Sequence, residues 1–116
     1  MNMRVLVCGG RDFDDFNSVN EELTYIAGDV GIDLIMHGGA TGADRLAGEW
    51  ADLTNTAKMI FPANWGKYRK AAGPLRNQQM LDDGKPDLVV AFPGGAGTAD
   101  MVRRAKAASV PVKEIE

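Results

Sequence analysis

Eight of the fourteen glycines fall in three tight clusters, each of a kind that leaves backbone amides bare. They are Gly9-Gly10, followed by Arg11; Gly38-Gly39-Ala40-Thr41-Gly42, followed by Ala43-Asp44; and Gly94-Gly95-Ala96-Gly97, set between Pro93 and Thr98. Glycine accepts positive φ in a sharp turn, and its missing side chain lets a ligand approach the main chain. Where such a turn opens a helix, free N–H groups and the positive end of the dipole favour an anion. Thr41 and Thr98 either add hydroxyl donors or cap the helices they precede. Arg11 offers a planar fork suited to a phosphate, or a surface ion pair with Asp12 or Asp44. Asp44 either complements its helix dipole or meets a ribose hydroxyl.

Other candidates are weaker. His37 has no cysteine or carboxylate at ligand spacing, so it reads as a hydrogen-bonded structural histidine and no metal site is expected. Trp65 and Tyr68 are interleaved with Lys67, Arg69 and Lys70, as a lid whose ring stacks on a base or as anchors for a long loop. Trp50 stands at core spacing, and Cys8 reads as a buried thiol without an activating partner. The chain contains no GxxxxGK[ST], which excludes a P-loop NTPase. Gly95-Ala96-Gly97-Thr98-Ala99-Asp100 begins like GxGxxG but ends in aspartate, which argues against a conventional nicotinamide-linked dehydrogenase.

The elements that must position these loops are legible. Apolar runs at Arg4–Cys8, Asp33–His37, Ala57–Phe61, Asp87–Phe92 and Val112–Ile115 predict five strands. Most are continuous, as for parallel strands covered on both faces. Helical spacing predicts helices over Asn17–Ala27, stopped by Gly28, and over Ala43–Leu53, with Leu46, Trp50 and Leu53 inward. A third is expected over Leu75–Asp83, stopped by Gly84, and a fourth over Thr98–Ala108, with Met101, Val102, Ala105 and Ala108 as its apolar stripe. Pro62–Pro74 is left as the longest connection, a length that favours a functional loop. Alternating strands and helices predict one α/β domain over residues 1–116, a three-layer Rossmann-like fold on a mostly parallel sheet. Parallel strands bring all three glycine loops to one edge, and the order 3-2-1-4-5 would set the first and third across a crevice.

Composition bounds the function. Of 116 residues, 45% are hydrophobic and 25% charged, which suits one globular core. The formal net charge of −3 argues against bulk nucleic-acid binding, although Asn64–Met80 carries Lys67, Arg69, Lys70 and Arg76 with no acidic residue. No spanning segment or signal peptide is read, and a single cysteine points to a reducing cytoplasm.

The third loop, Pro93-Gly94-Gly95-Ala96-Gly97-Thr98, is similar to the PGGxGT motif of the SLOG superfamily. That group includes the Lonely Guy phosphoribohydrolases, the DNA-processing protein DprA and small YpsA-like proteins. Gly9-Gly10-Arg11, His37-Gly38-Gly39-Ala40-Thr41-Gly42-Ala43-Asp44 and Ala72-Gly73-Pro74-Leu75-Arg76-Asn77 fit in order as well. The chain most resembles the short YspA/YpsA-related branch, nearly end to end. The resemblance implies a Rossmann-like fold that binds a nucleotide or nucleotide-derived small molecule beside the PGG loop, with Arg76 and Asn77 at the ligand. A sensor or effector module without a cofactor is the leading expectation. Related proteins often dimerise through helices near the cleft, so a homodimer is expected by the same resemblance.

Two alternatives stand beside it. Lonely Guy members use an arginine, and a glutamate three positions after the PGGxGT threonine, to release a base from a nucleoside 5′-monophosphate. Met101 occupies that position here. The nearest carboxylate, Asp100, is one residue earlier, about 100° around the helix. An N-glycosidic hydrolase would rest on Arg76 and Asp100. A DprA-like reading would place single-stranded DNA on Trp65–Arg76; nucleic acid is the less favoured partner.

Overall fold

Period-two alternation divides the first strand between two cores. Strand β1 (Met3–Cys8) turns Val5 and Val7 to one face and Leu6 and Cys8 to the other. The computed structural model describes residues 2–116. Its further elements are α1 (Phe16–Asp29), β2 (Ile32–His37), α2 (Ala43–Leu53), β3 (Ala57–Ile60), α3 (Trp65–Tyr68), α4 (Ala72–Gln79), β4 (Leu88–Ala91), α5 (Ala96–Ala107) and β5 (Val112–Glu114). The five strands form an all-parallel sheet in the order β3-β2-β1-β4-β5, as the sequence predicts.

Helices α1 and α2 cover one face, where Val19, Leu23, Ile26 and Trp50 pack on Val5, Val7, Ile35 and Val90. The chain then crosses to the other face, where Met80, Leu81, Met101, Val102 and Ala105 pack on Leu6, Met36 and Val89. The change of direction falls between β1 and β4, which sets the topological switch point there.

Several expectations need correction. Strand β3 is exposed along its whole length, because it is an edge strand with one neighbour, and Phe61 lies beyond its end. Leu53 is 76% exposed. The buried arc of α2 is centred on Ala47 and Ala51, and at about 100° per residue Leu46 and Leu53 fall to its side. Gly28 does not stop α1, since it sits on the solvent face where only helix propensity opposes it, and Gly31 makes the turn at φ 81°. Helix α4 starts three residues early at Ala72, because Pro74 in a first turn removes no intrahelical hydrogen bond. It continues into a π-helical turn, Met80–Gly84. The stretch Pro62–Pro74 is therefore largely helical: α3 and a 3₁₀ turn (Arg69–Ala71) lead into α4. Helix α5 begins at Ala96, so Gly97 and Thr98 belong to its first turn, and Ala108 lies past its end.

Candidate functional site

All three glycine loops leave the carboxyl edge of the sheet, and they interlock through main-chain hydrogen bonds. The Gly10 amide donates to Pro93 O at 2.8 Å, and Gly10 O accepts from Ala43 N at 3.1 Å. The first loop is thereby wedged between the other two. Bulk is excluded at each contact. A side chain at Gly9 would strike Ala43, one at Gly94 would strike Thr98 Oγ1 and the Gly10 amide, and one at Gly42, where φ is 77°, would strike Gly10 O. Thr41 does not cap α2; its hydroxyl donates to Arg11 O at 3.2 Å, and Gly42 is the N-cap.

The second and third loops treat their amides differently. Asp44 Oδ2 accepts from Gly38 N at 3.0 Å and from Ala40 N at 3.2 Å, while His37 Nδ1 accepts from Gly39 N at 3.0 Å. Burial pushes the Asp44 carboxyl upward, against the Ala40 and Gly38 amides and the charge of Arg76. His37 must carry its proton on Nε2, which lies buried beside Gly48 without an acceptor among the described residues. Burial, with the charges of Lys58 and Arg76, lowers this imidazole to about 4. At α5 the N-cap is Gly95, no side chain caps the turn, and the amides of Gly95, Ala96, Gly97 and Thr98 have no acceptor among the described residues. A side chain on Gly95 or Gly97 would meet nothing within 4 Å.

These open amides line a cleft of about 630 Å³ beside the switch point. Gly9, Gly10, Arg11 and Cys8 form its floor and near wall, and Arg76 and Asn77 of α4 face it from across. The half-buried Arg76 donates through Nη1 to Gly38 O at 2.6 Å and through Nε to Asn77 Oδ1 at 3.0 Å. No carboxylate pairs with it among the described residues, and burial lowers its pKa against the opposing charge of Asp44. Arg11 forms no ion pair with Asp12 or Asp44. Its guanidinium lies over the Trp65 ring, 5.2 Å from the centroid, and that ring rests against Gly73. Burial, followed by Asp44, pushes the Cys8 thiol up to about 12, so it is protonated at neutral pH.

Asp100 also lines the cleft, but both its oxygens are engaged. Oδ1 accepts from Arg103 at 2.8 Å, and Oδ2 accepts from Arg104 at 2.9 Å and Asn77 Nδ2 at 3.0 Å. Burial raises this carboxyl, yet Asn77, Arg104 and Arg103 outweigh it and leave it below the usual range.

Of the residues singled out by sequence, Gly38, Gly39 and Thr41 line a smaller neighbouring cavity of about 360 Å³ instead of the main cleft. Gly42, Pro93 and Gly94 line neither and act by fitting the loops together. Lys70 and Arg103 line the main cleft beside the site residues that the sequence predicts. Lys70 had a signal in the acid-free basic segment; Arg103 had one in its position three residues after Asp100.

Residues 3–68 match the family described as YAcAr: YspA, cpYpsA-related SLOG. The chain belongs to this family. The gene 61 protein of Mycobacterium phage D29 is similar to this SLOG chain, 36% identical over 118 residues that cover 94% of this chain and 93% of the phage protein. No solved structure matches it. The span matched to the family includes the first two glycine loops of the SLOG chain and ends before Arg76 and the third loop. Among the described residues, no helix is long and apolar enough to cross a membrane.

Proposed function

We propose that the cleft beside β1 and β4 binds a nucleotide or nucleotide-derived small molecule by its phosphate, and that the protein acts as a sensor or effector module. One observation carries the reading: among the described residues, four amides at the start of α5 lack acceptors and line the cleft that Arg76 enters without a carboxylate partner. Hydrogen bonds to a charged group contribute roughly 1.5–3 kcal/mol each, so two or three suffice to anchor a phosphate. Arg11, Lys70 and Arg103 add positive charge around the same space. A cleft of about 630 Å³ falls within the common range for small-molecule sites. Trp65, half-exposed beneath Arg11, gives a base or sugar an aromatic surface.

Binding is favoured over hydrolysis because both carboxylates that line the cleft are engaged: Asp100 is held by two arginines and an amide in its ionised form, and Asp44 Oδ2 accepts from the Gly38 and Ala40 amides. A carboxylate so stabilised is a poor base. The test is mass spectrometry of small molecules released from the purified protein, followed by calorimetry with the identified compound. A phosphate-bearing compound bound one to one is the expected result. Purified protein that carries none, and gives no heat with any common nucleotide, would remove the reading.

A further inference from the structure

We infer that the open edge of β3 is an interface between two copies of this chain, paired antiparallel about a two-fold axis through Met59. The two end strands of the sheet are treated unequally. Strand β5 follows Pro111 and carries Lys113 and Glu114, each in an ion pair with another element, to Glu22 and Lys106. Proline and charge are the usual guards of an edge. Strand β3 contains no proline and no bulge against β2, and all four of its residues are exposed, Met59 at 41% and Ile60 at 47%. Its one charged side chain, Lys58, is drawn to Asp52 at 2.9 Å.

The main chain sets the register. Phe61 N donates to His37 O at 2.9 Å, so residue 61 turns its peptide groups toward β2, and by alternation residue 59 does the same. Lys58 and Ile60 therefore turn their N–H and C=O groups outward, where no segment among the described residues takes them. Outward groups on both sides of Met59 complement themselves. Lys58 of each copy exchanges hydrogen bonds with Ile60 of the other, and the two Met59 residues face each other as the closer, non-hydrogen-bonded pair. Charge suits a second copy as well. The pairing sets two Lys58–Asp52 pairs about the axis, two cations with two anions, so identical edges meet without net repulsion. Residues 57–60 wall neither cavity, so the contact leaves both open.

The experiment is sedimentation equilibrium of the full chain across about 1–500 μM. So small a contact belongs to the weak class of interfaces, and a reversible dimer with a dissociation constant of about 10–100 μM is expected. Met59→Lys sets two cations directly opposite each other and should weaken it at least about tenfold. A chain that keeps its 12.4 kDa mass throughout overturns the inference. So does a dimer untouched by Met59→Lys, which would sit elsewhere, as on the helices beside the cleft. Oxidative cross-linking tests the register even if Met59→Lys does not fold. Met59→Cys should link to itself, since a facing pair lies within disulfide reach. Lys58→Cys or Ile60→Cys alone should not, being diagonal across the axis at about 7–8 Å, whereas a mixture of those two should link. Cys8 is buried and does not compete. Equal linking of all three single variants would show random collision and overturn the pairing.

Discussion

The loops after β2 and β4 are built from nearly the same ingredients, yet they resolve the same electrostatic problem in opposite ways. Each follows a buried parallel strand, is rich in glycine and opens a helix that no side chain caps at its N-cap. In the first, Asp44 and His37 turn back and take the amides of Gly38, Gly39 and Ala40. In the second, Asp100 sits deeper in its helix and faces Asn77, Arg103 and Arg104, so the amides of residues 95–98 are left open. Glycine content alone therefore does not mark an anion site. What decides is whether a carboxylate lies close enough in the first turn to satisfy the loop from within.

The comparison can be broken first at its most constrained point. Gly42→Val places a β-branched residue at φ 77° against Gly10 O, and urea unfolding should show a loss of about 4 kcal/mol or more. A loss near zero would mean that the loops are not interlocked as described.

A pH scan tests the closed loop next. The folded imidazole of His37, at about 4, lies below its unfolded value of 6.5. The unfolded chain thus takes up a proton that the fold refuses, so stability is fully present above pH 6.5 and falls between there and pH 4. The loss approaches about 3 kcal/mol and should be absent in His37→Gln, compared by urea titration at pH 7 and pH 4.5. Identical losses in both proteins would show that His37 is not the group concerned.

Removing the internal acceptor comes third. Asp44→Ala strands the Gly38 and Ala40 amides and should cost about 2 kcal/mol, while Asp44→Asn, which keeps an oxygen there, should cost about half of that. Equal costs for the two variants would contradict the role given to Oδ2.

The open loop should respond the other way. Gly95→Val projects into free space, so stability should change by no more than about 1 kcal/mol while affinity for a phosphate-bearing ligand falls at least about tenfold. Unchanged affinity would leave the α5 amides without a role in binding.

Local patterns carried most of the architecture. Five strands, the α2 boundaries and the gathering of three glycine loops on one edge follow from periodicity and from the rule that parallel strands share a direction. The features that escaped are those fixed by distant partners. Arg11 finds Trp65 and not a nearby aspartate, and Asn77 meets Asp100 across 23 residues. Leu53 is apolar and well spaced from Trp50, yet the small residues Ala43, Ala47 and Ala51 define the buried arc of α2, since close packing on the sheet suits them. The difference between closed and open amides was not readable from residue types, because both loops are followed by an aspartate and what differs is its distance from an N-cap that only the structure fixes: Asp44 lies two residues after Gly42, Asp100 five after Gly95.

Gly10 joins the outer two loops through atoms that every residue but proline possesses. Any shift of the Pro93 segment, including one caused by an arriving guest, would pull on the start of α2 through the main chain of this one residue. Exchanging side chains along that route would not cut the connection; only added bulk or a proline would. If the protein reports occupancy, the least mutable part of its signal path is made of main chain.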